Sequence, residues 1–284
     1  NTASVTGATS LDPVSDTDDA LVTVIDGVGV GLAVQKLVGP SGGPYYQTTA
    51  DAPFVTDAET QLQWQWIVTN IGSVDLSLNL VADVLNGLPY DLITQGGCAD
   101  PPALLAHGGA YSCTSTAFPA ESGLHINLVT WKGCAVDNAE NCLEKGDIAA
   151  YVTRPQLTVT KYVENIWGGT LTAADFPLQV AGSGAITPVT SEVPITLDAG
   201  DYRVSEQQQP GYTSTGIGGD CGADGSISLA NGDEKWCVIA NADTPAELTV
   251  TKVVIAADYD HSFDLTLDNS SIGTVSGGGG TVAE

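Results

Sequence analysis

One seven-residue pattern occurs three times in this chain and limits its fold more than any other feature. Leu32-Ala-Val-Gln-Lys36-Leu-Val38, Leu157-Thr-Val-Thr-Lys161-Tyr-Val163 and Leu248-Thr-Val-Thr-Lys252-Val-Val254 all read L-x-V-x-K-x-V, starting 125 and then 91 residues apart. Alternation of period two puts Leu, Val, Lys and Val on one face of a strand. The lysine is therefore in phase with the residues that face a core. A repeat at domain-sized intervals describes modules that each open with the same strand.

The rest of the chain also reads as strand. Leu62, Trp64, Trp66 and Val68 alternate with Gln61, Gln63, Gln65 and Ile67, which directs both tryptophans inward. Val193 to Leu197 and Asp201 to Ser205 are short strands separated by Ala199-Gly200. Abundant Thr and Val favour strands, and the 33 Gly serve turns and bulges. No long amphipathic helix is evident; Ala103 to His107 offers a turn or two at most. The expected fold class is all-β, with tandem antiparallel β-sandwiches in an extended rod. Pro-containing connections, Thr153-Arg-Pro-Gln156 and Asp243-Thr-Pro-Ala-Glu247, set the boundaries and stiffen them. The expected modules are 32–153 and 157–243, flanked by a hairpin-like piece at 1–26 and an incomplete third module at 247–284.

Composition excludes several classes of function. Lys and Arg total 8 against 34 Asp and Glu, a formal charge of −26 over 284 residues. Such a chain cannot build a cationic track for nucleic acid or an anionic membrane surface. An apolar fraction of 43% is too high for a disordered acidic tail. No uncharged apolar run is long enough for membrane insertion; Leu21 to Val38 is broken by Asp26, Gln35 and Lys36. Three His and no Met leave few groups for catalysis, so an enzyme is not expected. No basic n-region and no starting Met open the chain, which reads as processed or as part of something longer.

The six Cys are Cys98, Cys113, Cys134, Cys142, Cys221 and Cys237. None is spaced as C-x-x-C and no His stands at finger spacing, which argues against zinc. Local spacing pairs them as 98–113, 134–142 and 221–237, and three disulfides place the chain outside the cell or at its surface.

The sequence resembles known extracellular repeat families. Residues 32–153 resemble a DUF11-type Ig-like domain in Lys36, in the Trp-containing strand ending Ile67-Val-Thr-Asn-Ile-Gly72, in the Asp83 region, and in Cys98 with Leu104 to Cys113. Residues 157–243 resemble a Cna-B or prealbumin-like domain. The motif residues are Lys161, then Tyr202-Arg-Val-Ser-Glu206 leading to Pro210-Gly-Tyr212, then Cys237-Val-Ile-Ala-Asn241. Residues 1–26 resemble the closing strands of another DUF11 module. The resemblance implies a module rod or subunit of a prokaryotic surface adhesin, pilus or sheath-like filament. Its partners would be neighbouring copies or further repeats of the same chain, joined by strand complementation where a module is unfinished.

The resemblance also implies chemistry. In the second module Lys161 would be the amine, Asn241 the carboxamide, and Glu206, kept protonated by burial, the proton shuttle of an intramolecular isopeptide bond. Two other readings stand beside it: a buried Lys–Glu ion pair with Asn hydrogen bonded alongside, or a lysine snorkelling to the surface. In the first module Lys36 has Asp83 and Asn127 as candidate partners. Leu76, Leu78 and Leu80 put Asp83 on the wrong face unless a bulge intervenes, and Asn127 shares its face with His125 and Val129. Lys252 has no downstream Glu and Asn at the corresponding places.

Weaker signals complete the reading. Gly39-Pro-Ser41-Gly-Gly43 matches G-x-S-x-G but lies in a loop without His or Asp partners. His107, His125 and His261 are scattered. No cofactor is expected, with calcium the one candidate, at Asp16, Asp18 and Asp19 in a single turn; further acids gather around 258–264 and 220–234. Asn269-Ser270-Ser271 is a glycosylation sequon. An alternative function is an Ig-like carbohydrate- or protein-binding appendage of a secreted protein, for which Trp131, Trp167 and Trp236 are the candidate platform.

Overall fold

A computed structural model describes residues 14–15, 21–22, 29–90, 93, 99–253, 261–276 and 279–283. Nearly all of its regular structure is strand, and the fold class is all-β. One single-turn 3₁₀ segment, Ala173–Asp175, is the exception among the described residues. By contact the chain divides into two compact units. One comprises 1–157 with 195–200 and 228–235; the other comprises 158–194 with 201–227 and 236–284.

A short hairpin of β1 (Val14–Ser15) and β2 (Leu21–Val22) comes first. The first sandwich follows. One sheet runs β3 (Leu32–Pro40), β5 (Gln61–Asn70), β8 (Ala110–Thr114), with β9 (Phe118–Pro119) also pairing β5. The other runs β4 (Phe54–Thr56), β11 (Asn138–Thr153), β10 (Leu124–Ala135), β6 (Leu76–Leu85), β7 (Leu88–Pro89). Every pairing is antiparallel except β4 with β11. The alternation in β5 is complete: each even-numbered residue from Leu62 to Asn70 is buried. Trp64 and Trp66 from one sheet meet Tyr151 and Trp131 from the other, and Trp66 and Trp131 pack edge to face at 5.5 Å. The T-N-x-G motif has a structural meaning. The Asn70 amide, fully buried, donates to the carbonyls of Val74 and Leu105, and its oxygen accepts from Gly72 N–H. Gly72 and Gly31 approach so closely that a side chain on either would strike the other's backbone.

The second sandwich uses β12 (Gln156–Glu164), β13 (Leu178–Ala181), β14 (Ile186–Val189), β15 (Ile195–Thr196), β16 (Gly200–Glu206), β17 (Tyr212–Gly219), β18 (Ser226–Leu229) and β19 (Glu234–Asp243). Its sheets are ordered β15-β12-β19-β17 and β14-β13-β16-β18. Opening and closing strands, β12 and β19, are thus neighbours at the centre of one sheet. Leu157, Val159, Phe176, Val180, Val204 and Ile239 fill the core. After it come β20 (Thr249–Val253), β21 (Ser262–Leu267), β22 (Ser270–Ser276) and β23 (Gly279–Ala283), paired as β20-β23 and β21-β22.

Two disulfides follow the expected spacing: Cys134–Cys142 across the β10–β11 hairpin and Cys221–Cys237. Cys113 is disulfide-bonded as well, while its expected partner Cys98 lies outside the described residues. No helix among the described residues is long and apolar enough to cross a membrane.

Candidate functional site: two buried lysines

The strand periodicity that opens each sandwich carries its lysine into the core. In β12, Leu157, Val159 and Lys161 are buried while Tyr162 is exposed. The Lys161 side chain is fully enclosed, so it does not snorkel. Its ammonium lies 2.6 Å from Glu206 Oε2 and 4.4 Å from the centre of the Phe176 ring. Its backbone N–H donates to Ser191 Oγ, which fixes the strand at this rung. Burial pushes the Lys161 amine below its ordinary value, and the Glu206 carboxylate opposes that shift only in part. From β19, the Asn241 amide donates to Glu206 Oε1 at 2.7 Å. One carboxyl group therefore bridges the amine and the carboxamide, an oxygen to each. The Asn241 carbonyl oxygen has no hydrogen-bond partner.

The first sandwich repeats the ingredients with a different geometry. Lys36 is fully buried, 5.0 Å from the Trp66 ring centre and 5.9 Å from that of Trp64. Its ammonium is 3.4 Å from Asp83 Oδ1. Desolvation lowers the Lys36 pKa to about 8, against the opposing pull of Asp83. Asp83 reaches the core because β6 carries a bulge. Thr130 pairs with Ala82 and Trp131 with Leu80, so Val81 is left without a partner on β10. The inward face thereby passes from the even positions Leu76 and Leu78 to the odd position Asp83. Asn127 lies one inward position along β10 from Val129, the residue opposite Asp83, which makes the two polar side chains diagonal neighbours. Asn127 is completely buried, and neither atom of its carboxamide has a partner. The indole N–H groups of Trp64, Trp66 and Trp131 have no protein partner either.

Some of the structure was not anticipated. Asp147 accepts from the Lys36 backbone N–H at 2.7 Å. Asp243, two residues beyond Asn241 and on the same face, accepts from the N–H groups of Ile166, Trp167 and Gly169. Those bonds hold the Asp243 carboxyl below its usual range against the opposing effect of burial. Tyr212 donates to Asn165 Oδ1 and accepts from Leu171 N–H, so the 165–171 loop is built around two core residues. Arg154 makes a two-pronged pair with Asp57, at 2.5 and 2.8 Å, and reaches Asp198 at 3.2 Å.

The remaining expectations have varied outcomes. Trp131 is in the core and cannot belong to an exposed platform, whereas Trp167 and Trp236 are 61% and 53% exposed. Asp16, Asp18 and Asp19 lie outside the described residues. Among the described residues no three His, Cys, Asp or Glu side chains gather to hold a metal ion. Asp224 and Asp233 accept backbone N–H groups in their own turns, and Asp220 accepts from Trp236 N–H on β19. Asn269 is exposed at the turn between β21 and β22. His125 is buried, stacked on Tyr151 at 4.7 Å. Lys252 stands 4.8 Å from the Phe263 ring centre, as Lys161 stands over Phe176.

Comparison with known proteins supports the second sandwich most directly. Residues 153–239 match a family described as a prealbumin-like fold domain. No curated protein matches the chain. Among solved structures, the Bacillus anthracis TIE protein is 14% identical, with 88% of this chain and 50% of that one covered and a TM-score of 0.30. The pilus backbone RrgB of Streptococcus pneumoniae is 11% identical, covering 75% and 93%, with a TM-score of 0.21. The major pilin BcpA of Bacillus cereus is 11% identical, covering 75% and 71%, with a TM-score of 0.24. Overlaps that loose bear on neither fold nor role. The chain spans half the length of the TIE protein it matches.

Proposed function

We propose that this is an extracellular, non-enzymatic structural protein, a run of modules in a prokaryotic surface filament, sheath or adhesin stalk. The modules are a DUF11-like sandwich over 32–153, a prealbumin-like sandwich over 157–243, a partial third module over 247–284 and closing strands of another at 1–26. Neighbouring copies or further repeats complete the partial ones by strand addition. The observation that carries the reading is the Glu206 carboxyl holding Lys161 and Asn241 together inside the core. A buried charge is expensive, and a core built only for stability would place an apolar residue there.

The arrangement suits one self-processing reaction. Transfer of a proton from the Lys161 ammonium to Glu206 across their 2.6 Å contact leaves a neutral amine, which attacks the Asn241 carboxamide carbon while Glu206 donates that proton to the carbonyl oxygen. Glu206 then takes a proton from the attacking nitrogen and passes it to the leaving one, ammonia departs, the oxygen returns its proton to Glu206 as the carbonyl re-forms, and a Lys–Asn amide joins β12 to β19. Proximity drives it, because a poor electrophile is fixed against the amine at high effective concentration. Lys36, Asp83 and Asn127 would perform the same reaction in the first sandwich. Each bond ties an opening strand to a later one, which suits a protein that carries tension.

A second reading, a binding appendage, draws on Trp167, exposed on a loop that Asp243 holds in place. Electron microscopy of the native material separates the two. Continuous filaments or stalks are expected, and dispersed single molecules that bind glycan through Trp167 would overturn the structural role.

A further inference from the structure

We infer that Cys134–Cys142 is a reducible length stop in the load path of the first sandwich, whereas Cys221–Cys237 carries no load. The inference rests on the cross-links proposed above and adds to them a path for force. A Lys36–Asn127 bond removes residues 37–126 from the path, and with them Cys98 and Cys113. Tension then runs from Asn127 along β10, round the hairpin and out along β11. Leu124 pairs with Val152 and Asn127 with Ala149, so the force enters and leaves at the open end of that hairpin. Load applied there separates one rung at a time instead of shearing all rungs together. Parallel β4 and the Arg154–Asp57 pair hold the exit, but neither closes the hairpin itself.

The disulfide sits where the separation would otherwise continue into the turn. Cys134 pairs with Cys142 near the closed end, eight residues apart in sequence. While it is intact, opening stops there. A dithiol reductant delivers two electrons and two protons, becomes a cyclic disulfide itself, and leaves two thiols. The eight spacings from Cys134 to Cys142 then extend to about 28 Å at roughly 3.5 Å each, in place of the 4.0 Å between the bonded Cα atoms, a net gain of about 24 Å. Access favours this bond through one of its two sulfurs: Cys134 is buried, but Cys142 is half-buried beside exposed residues 138–141, whereas Cys221 and Cys237 are both buried.

The second sandwich is wired the other way. A Lys161–Asn241 bond leaves only 157–161 and 241–243 under load. Cys221 and Cys237 lie inside the bypassed 162–240, so breaking their bond releases no length.

The test is single-molecule stretching of the whole chain from its two ends, on protein whose intact mass has first been measured. With two ammonia missing, dithiothreitol is expected to lengthen the fully loaded molecule by about 24 Å. The double variant Cys134→Ser, Cys142→Ser should have that length without reductant and ignore it. The double variant Cys221→Ser, Cys237→Ser should respond as the parent does. If the cross-linked protein gains no length on reduction, or gains it equally without Cys134 and Cys142, the stop is overturned and the cross-links stand. If the mass is undiminished, the cross-link reading falls and the length stop falls with it.

Discussion

The two lysine sites begin from the same strand pattern and end in different geometries. In the second sandwich the carboxyl comes from Glu206 on the facing sheet and touches both reactants. In the first it comes from Asp83, whose shorter side chain stands 3.4 Å from Lys36, and the Asn127 carboxamide has no partner. In the second sandwich the acid arrives on β16, which pairs with β13 without a break in register. The other depends on a single unpaired residue, Val81, to turn its acid inward. A repeated motif thus specifies the amine, while local irregularity decides how the acid arrives.

The largest expected effect breaks the regular site. Lys161→Ala removes the amine, so β12 and β19 lose their tie, the buried side chain leaves a cavity that costs about 4 kcal/mol, and the second sandwich keeps its ammonia. Thermal unfolding and intact mass read both consequences. Asp83→Ala is next. It removes the acid that faces Lys36, so the first sandwich should lose its bond and stability of about 3 kcal/mol while the second keeps its own.

A pH series sharpens the comparison further. Asn127→Ala leaves Lys36 a free amine with a folded pKa of about 8. Between pH about 8 and about 10.5 the unfolded chain holds a proton that the folded chain does not, so unfolding free energy rises with pH across that window. The cross-linked parent, with an amide at Lys36, should show no such rise from this residue. Denaturant midpoints at several pH values check it. The smallest effect concerns Asp243. Its carboxyl is held low in the folded state, so its contribution is complete above about pH 4 and fades as pH falls through the folded value. Asp243→Asn should loosen the 165–171 loop at neutral pH, seen as a change in Trp167 fluorescence with little change in melting.

Much of this was legible because period two is unforgiving. It places Lys36, Lys161, Trp64 and Trp66 on inward faces, and all four are buried. Short Cys spacings likewise matched the 134–142 and 221–237 bonds. Asp83 is a candidate partner from the sequence only if a bulge intervenes, and the position of that bulge is not legible because it shifts phase without a clear mark in residue type. Trp131 was misjudged although the rule applied: it shares a face with Asn127 and Val129, all of them buried. Asp243 was missed for another reason. Its face follows from Asn241, but its role depends on the path of the 165–171 loop, which strand periodicity does not describe.

The central claim is that buried lysine amines have become amides. Mass spectrometry of the reduced, protease-digested protein tests it most directly. The account predicts a branched peptide joining Lys161 to Asn241, a second joining Lys36 to Asn127, and a whole-chain mass lower by about 34 Da for two lost ammonia molecules. Linear peptides containing unmodified Lys161 and Asn241, with no ammonia missing from the whole chain, would contradict it.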